Sequence, residues 1–198
     1  MGITSTDLHA AFNRITQAAQ AARDELCEAD GRIGDGDLGL TVADGFAACA
    51  ALDLPADVGQ ALFQASKAFQ QASSSSFGTL VATGLMAAAK VLRGRESFST
   101  SEVADLLAVA RDAMLERGKA SLGDKTVLDT LDAQVQALAG ADKNHAALAV
   151  QVAYDVLTRF RPLQNKAGRA RIFAEQTLGQ DDPGQLAMLR ITEGLAGR

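Results

Sequence analysis

Apolar residues recur at helical spacing along almost the whole chain, and this pattern constrains the fold more than any other feature. Leu8, Ala11, Phe12, Ile15, Ala19, Ala22 and Leu26 follow i, i+3, i+4 steps, as one face of a helix does. Thr4 with Asp7 three residues on predicts a capping box at its start. A second helix is predicted from about Thr41 to Ala51, stopped by Asp53-Leu54-Pro55, and a third carries Val58, Leu62, Ala65, Phe69 and Ala72. Ser73 to Ser76 break it, and Thr79 to Leu92 follows as a helix apolar nearly all round, hence central. Ser99 with Glu102 caps a helix bearing Val103, Leu106, Leu107, Ala110 and Met114. Two further stripes run through Val127, Leu131, Val135 and Leu138, and through Leu148, Val152, Val156 and Phe160. Gln164 to Gly184 reads as a long loop or broken helix, and a short helix from Gln185 to Leu195 closes the chain. No alternating strand pattern is bounded by turn signals. Seven or eight helices with short connections predict an all-α antiparallel bundle.

At 198 residues the chain suits one domain, 1–198, and is short for two. With no Trp and one Tyr, the core must be built mainly from Ala, Leu and Val. The net charge of −5, without a Lys/Arg cluster, argues against a nucleic-acid partner. Cys27 and Cys49 are too few and too far apart for a disulfide framework or a zinc site, and read as reduced thiols in Ala-rich helices. The start of the chain lacks a signal-peptide core, and no apolar run nears the ~20 residues a membrane span needs. The expected setting is the cytoplasm.

With the stripes accounting for the scaffold, chemistry should lie in the loops that do not fit it. The first, Asp30 to Gly39, packs three carboxylates and four glycines into ten residues. Asp and Gly disfavour helix interiors, so this is a loop, and its charge calls for a cation. An isolated Asp-x-Asp is as often a plain surface turn; the third carboxylate and the glycines shift the reading to metal. An EF-hand is excluded, because the twelfth positions counted from Asp30, Asp35 and Asp37 are Thr41, Phe46 and Ala48 rather than Glu. Mg²⁺ takes hard oxygen ligands and commonly arrives with phosphates, so a pair of ions shared among Asp30, Asp35 and Asp37, with a polyphosphate, is the reading the charges favour.

Three other loops fit phosphate. Ser73 to Gly78 precedes a helix, whose positive end attracts anions; taken alone it is a capped linker. Gly118 to Thr126 is a connector without the order of a Walker A motif, in which Asp124 is expected to cap the next helix. Lys166 to Gly184 holds Arg169, able to grip phosphate bidentately, and the turn Asp182-Pro183-Gly184. Loops after alternate helices of an up-and-down bundle share an end, so all four should meet at one rim. His9 and His145 sit in helices without a nucleophilic partner. No nucleophile is evident, which suits phosphoryl transfer, where positioning and electrostatics dominate.

Taken in order, these segments resemble the L subunits of dihydroxyacetone kinases over nearly the whole length. Asp30 with Ile33-Gly34-Asp35-Gly36-Asp37 is similar to that family's two-Mg²⁺ motif, and Gly123-Asp124-Lys125-Thr126-x-Leu128-Asp129 to its GDKT-x-LD segment. Lys166-x-Gly168-Arg169-Ala170 and Gly179-x-Asp181-Asp182-Pro183-Gly184 are similar to its C-terminal nucleotide-binding run. The resemblance implies an antiparallel eight-helix barrel whose rim holds ADP or ATP through two Mg²⁺ on Asp30, Asp35 and Asp37. It further implies that Leu38, Gly39, Leu40, Thr41, Ser75, Ser76, Gly118, Val127, Arg169, Asp182, Pro183 and Gly184 surround the nucleotide, with Arg169 and the three aspartates catalytic. The implied partners are a K subunit, which carries the ketose on its own histidine, and in the phosphoenolpyruvate-linked branch a phosphotransferase-system M subunit.

The chain also departs from that pattern. Leu38 and Thr41 stand where family members commonly carry His and Asn, and Ser73, Ser74 and Phe77 replace glycines of a Gly-rich loop. Side chains are then expected to crowd a place where backbone approaches phosphate. The departures mark a divergent branch, for which another ketose or a tetrulose is the alternative substrate. A nucleotide-dependent regulatory role without catalysis is the other alternative.

Overall fold

In the computed structural model, residues 2–73, 75–141 and 144–198 are described, Arg169 by its backbone alone. Nine α-helices account for most of them: α1 (Ser5–Ala21), α2 (Arg23–Gly31), α3 (Leu38–Ala50), α4 (Val58–Ala72), α5 (Ser76–Leu92), α6 (Val103–Gly118), α7 (Val127–Ala139), α8 (His145–Phe160) and α9 (Pro183–Ala196). The helix expected to run unbroken to Leu26 divides at Ala22, whose ψ of 1° interrupts the helical run. No Pro or Gly marks that position. Counting α1 and α2 as one bent stave leaves eight.

The staves close into a ring. Each consecutive pair from α3 to α9 is in contact, α3 packs on α1, and α9 returns to α1. Short connections make most touching neighbours alternate in direction, and the long 161–182 connection returns α9 with its N-terminus at the same end as those of α3, α5 and α7. The inner faces form one large core: Phe12 and Ile15 of α1, Val42 and Phe46 of α3, Leu62 and Phe69 of α4, Leu157 of α8 and Leu189 of α9. The Phe46 and Phe69 rings meet edge to face with centroids 5.0 Å apart, a favoured aromatic geometry. Met114, Val127, Leu128 and Leu131 form a second cluster between α6 and α7, with Phe77 and Leu80 of α5 against it.

Local signals explain most boundaries. Thr4 and Asp7 form the expected capping box, as do Ser99 and Glu102. The cap of α7 departs from expectation: Thr126, in a capping box with Asp129, fills that position instead of Asp124. Asp124 instead accepts the Ser121 amide at 2.8 Å, inside the connector. Two-residue strands β1 (Ile3–Thr4) and β2 (Ser97–Phe98) pair antiparallel, too short to leave any alternation in the sequence. The segment before α9 carries a 3-10 stretch, Arg169–Thr177, kinked at Phe173. Among the described residues no helix is long and apolar enough to cross a membrane.

Candidate functional site

The N-termini of α3, α5, α7 and α9 open onto one cavity of about 670 Å³. Asp37 and Leu38 reach it from α3, Ser75 to Phe77 from α5, Thr126 to Leu128 from α7, and Asp182 to Gly184 from α9. Gly118 and Ala120 add the connector, and Ala167, Gly168 and Ala170 the C-terminal segment. All four loops singled out in the sequence therefore line one space. Four helix N-termini aimed at one place supply partial positive charge and main-chain amides, the ordinary means of holding an anion.

Against that positive frame stand the aspartates. Asp30, Asp35 and Asp37 each place one carboxylate oxygen within 4.8 Å of those of the other two. Asp30 leaves the end of α2, and its Oδ2 accepts the amides of Gly36 at 2.8 Å and Asp37 at 3.2 Å. The loop can wrap this closely only because its glycines allow it. A Cβ on Gly34 would stand 2.4 Å from Asp30 Oδ1, and Gly36 has a φ of 77°. Burial pushes the Asp30 carboxyl above its ordinary pKa, outweighing the two amide bonds, and the charges of Asp35 and Asp37 add to the rise. Three hard oxygen donors so close make a donor set that suits a divalent cation such as Mg²⁺.

The serine loop is organised by hydroxyls. Ser75 caps α5 by accepting the Gly78 amide at 3.0 Å. Its Oγ also accepts from the Thr41 hydroxyl at 3.0 Å, and the Ser73 hydroxyl lies 3.2 Å from it. Ser73 is buried and does not line the cavity, so the expected crowding at that replaced glycine does not arise. Its side chain fills the space beside Gly78, where an added Cβ would meet Ser73 Oγ at 2.2 Å. Phe77 does line the cavity. Ser74 lies outside the described residues.

Of the remaining residues expected around a nucleotide, Ser75, Ser76, Gly118, Val127, Leu38, Asp182, Pro183 and Gly184 line the cavity, whereas Gly39, Leu40 and Thr41 do not. Gly39 faces α2, where a Cβ would fall 2.0 Å from the Arg23 carbonyl oxygen; it is a packing glycine. Leu40 is 46% exposed on the opposite side of the helix turn. Thr41 is buried and acts one step back, on Ser75. The side chain of Arg169 lies outside the described residues; its backbone begins the 3-10 stretch directly after Gly168, which lines the cavity.

Sequence reasoning undervalued a group of buried polar residues behind the rim. Lys125, with φ 61°, is fully buried, and its ammonium donates to the carbonyl oxygens of Leu163 (2.7 Å), Thr177 (2.8 Å), Gln180 (2.8 Å) and Arg161 (3.3 Å). Burial lowers its pKa, and the carboxylates of Asp182 and Asp181 oppose that. Asn165 donates to the Lys125 carbonyl at 2.8 Å and to Asp182 Oδ1 at 2.6 Å. Asp182 caps α9 through the Gln185 amide at 2.8 Å, and burial pushes its carboxyl up to about 6. Asp129, also buried, accepts the amides of Gly123 and Thr126, and burial raises its pKa. The sequence marks this group by Gly123-Asp124-Lys125-Thr126-x-Leu128-Asp129 and by Asp182, but nothing in it shows which carbonyls the lysine will reach.

Comparison with known proteins bears on this geometry. The model of the DAK2 domain family matches residues 32–197. The chain is 25% identical over 206 residues to the ADP-binding subunit DhaL of the PEP-dependent dihydroxyacetone kinase of Escherichia coli, covering 99% of this chain and 98% of that one. It is 30% identical over 205 residues to the L-erythrulose kinase of Pectobacterium atrosepticum, covering 94% of this chain and 35% of the kinase. Among solved structures it superposes on the dihydroxyacetone kinase of C. freundii with a TM-score of 0.77 at 26% identity, over 96% of this chain and 34% of that one. It thus spans nearly all of the bacterial subunit and about a third of the longer kinases.

Proposed function

The chain belongs to the DAK2 domain family, and we propose that it is the nucleotide-binding phosphotransferase subunit of a dihydroxyacetone-kinase system, working as one domain in the cytoplasm. It would hold ADP or ATP at the rim of the barrel and pass a phosphoryl group to a short ketose presented by a separate K subunit. The observation that carries this reading is the meeting of four helix N-termini and three clustered aspartates around one cavity. The likeness to an ADP-binding subunit over 98% of that subunit's length supports the nucleotide-binding role.

Asp30, Asp35 and Asp37 would hold two Mg²⁺, which when bound supply the positive charge that neutralises the phosphates. The chain's own residues do the positioning. The first amides of α5, at Ser76 and Phe77, and of α9, at Gly184, orient phosphate oxygens from two sides. Val127, Leu128, Leu80 and Pro183 give the cavity an apolar wall that suits a nucleoside. The attacking hydroxyl and the base that takes its proton come with the ketose on the partner. In the phosphoenolpyruvate-linked form an M subunit would recharge the bound ADP in place.

Reconstitution tests this reading. The purified chain, mixed with a K subunit of a dihydroxyacetone kinase, dihydroxyacetone, Mg²⁺ and ATP or an M-subunit relay, should yield ketose phosphate only when both subunits are present. No transfer with a K subunit that works with its own L subunit would contradict it.

A further inference from the structure

Residues 164–176 form a strap that walls one side of the cavity through Ala167, Gly168 and Ala170. Apolar packing does little to hold it. Ile172 is 75% exposed, and Leu163, Phe173 and Leu178 are exposed as well. Among the described residues of this stretch the buried ones are polar and stand at its two roots, Asn165 and Thr177. The Asn165 amide donates to Thr177 Oγ1 at 2.9 Å and so joins the roots to each other. The strap's order therefore depends on what grips the roots.

One buried ammonium group reaches both sides at once, beside the Gly179 N–H donated to the Arg161 carbonyl at 2.9 Å and the Arg161–Asp181 ion pair nearer the surface. Lys125 Nζ takes carbonyl oxygens from Arg161 and Leu163 on the entering side and from Thr177 and Gln180 on the leaving side. An ammonium has three donors, so four carbonyls share them, and hydrogen bonds from a charged donor are the strong kind. The connector that carries Lys125 adds two main-chain ties. Lys166 N–H donates to the Asp124 carbonyl at 2.9 Å, and Asn165 Nδ2 to the Lys125 carbonyl. Connector and strap thus meet the cavity as one unit.

We propose that Lys125 is the positioning residue of the nucleotide site: its ammonium pins both roots of the 164–176 strap, and so sets the cavity wall without touching the ligand. This rests on the nucleotide reading above. It also makes a prediction foreign to a residue that merely fills space. Removing the side chain leaves four carbonyl oxygens around a vacated position, a donor set of the kind that replaces the hydration shell of K⁺ in a carbonyl-lined filter. A small monovalent cation should then stand in for the lost ammonium.

The test compares wild type, Lys125→Ala and Lys125→Met, by amide hydrogen exchange of the strap and by Mg²⁺-ADP affinity. Each is measured in KCl, in methylammonium chloride and in tetramethylammonium chloride at equal ionic strength. Strap amides should exchange on the order of tenfold or more faster in both variants in tetramethylammonium, while amides of α1, α3 and α4 keep their protection. ADP should bind on the order of tenfold more weakly. K⁺ or methylammonium should restore strap protection and affinity to Lys125→Ala, should not do so for Lys125→Met, whose stem fills the space, and should leave wild type unchanged. Wild-type strap protection in the variants, or variants indifferent to the cation, would overturn the proposal. So would failure of both variants to fold, which would make Lys125 a determinant of the whole barrel. If wild type binds no ADP, the nucleotide reading fails, while the exchange measurements still decide the role of Lys125 in holding the strap.

Discussion

The carboxylate of Asp30, at the end of α2, reaches across its own loop to accept the Gly36 amide at 2.8 Å. That bond folds Asp35 and Asp37 back toward Asp30 and gathers the charges the site depends on. One residue is therefore both loop organiser and candidate ligand, and the two roles separate by substitution. Asp30→Asn keeps an acceptor for the amides and should retain the fold while losing Mg²⁺-dependent nucleotide affinity by on the order of tenfold or more. Asp30→Ala removes the acceptor too and should also lower thermal stability, by ~1 kcal/mol for the lost hydrogen bonds. Calorimetric binding beside thermal melts of the two variants checks this.

Asp182 gives the protein a pH dependence of definite sign. Its carboxyl is held at about 6 in the folded chain, above the ordinary 3.8. The folded state therefore binds the proton more readily than the unfolded one, and stability should rise as pH falls from about 6 toward 4. Asp129, raised by burial as well, contributes in the same direction. Asp182→Asn, which keeps a good helix cap, should flatten the slope in that window. Denaturant melts of both proteins between pH 4 and pH 7 measure it.

Gly39, Leu40 and Thr41 are neighbours in sequence with three different roles. Gly39→Ala must move α3 away from the Arg23 carbonyl and should destabilise by roughly 1–3 kcal/mol. Leu40→Ser lies on an exposed face and should leave stability within ~0.5 kcal/mol and nucleotide affinity unchanged. Thr41→Val removes the hydroxyl that holds Ser75 and should weaken nucleotide binding with little loss of fold. A melt and a titration for each variant separate the three outcomes.

Much of this was legible in the sequence, and the exceptions have physical causes. Helix spacing and the capping boxes at Thr4 and Ser99 gave the staves, because they are local. The parity of connections placed four loops at one rim, which follows from alternating helices and needs no distance information. The break at Ala22 was invisible, as alanine favours helix on either side of it. Thr126 was passed over for Asp124 because both residue types cap helices and the choice depends on the Asp129 carboxylate returning to Thr126. The Lys125 cage could not be read at all, since main-chain carbonyls more than thirty residues away leave no trace in composition.

Ile172 tests the partner half of the account. It stands 75% exposed on the strap, two residues from the cavity-lining Ala170, and on the proposed reading this is the face a K subunit would meet. Ile172→Glu should leave ADP affinity unchanged and lower transfer to the ketose, with the rate restored by raising the K-subunit concentration. A titration of transfer rate against K subunit reads this.

The central claim, that Asp30, Asp35 and Asp37 hold a nucleotide through divalent metal, is tested most directly by calorimetric titration of the wild-type chain with ADP, once with Mg²⁺ and once with EDTA. Saturable binding is predicted in Mg²⁺ alone, abolished in an Asp35→Ala, Asp37→Ala double variant that still melts cooperatively. Absence of binding in Mg²⁺, or binding that survives both EDTA and the double substitution, would contradict it.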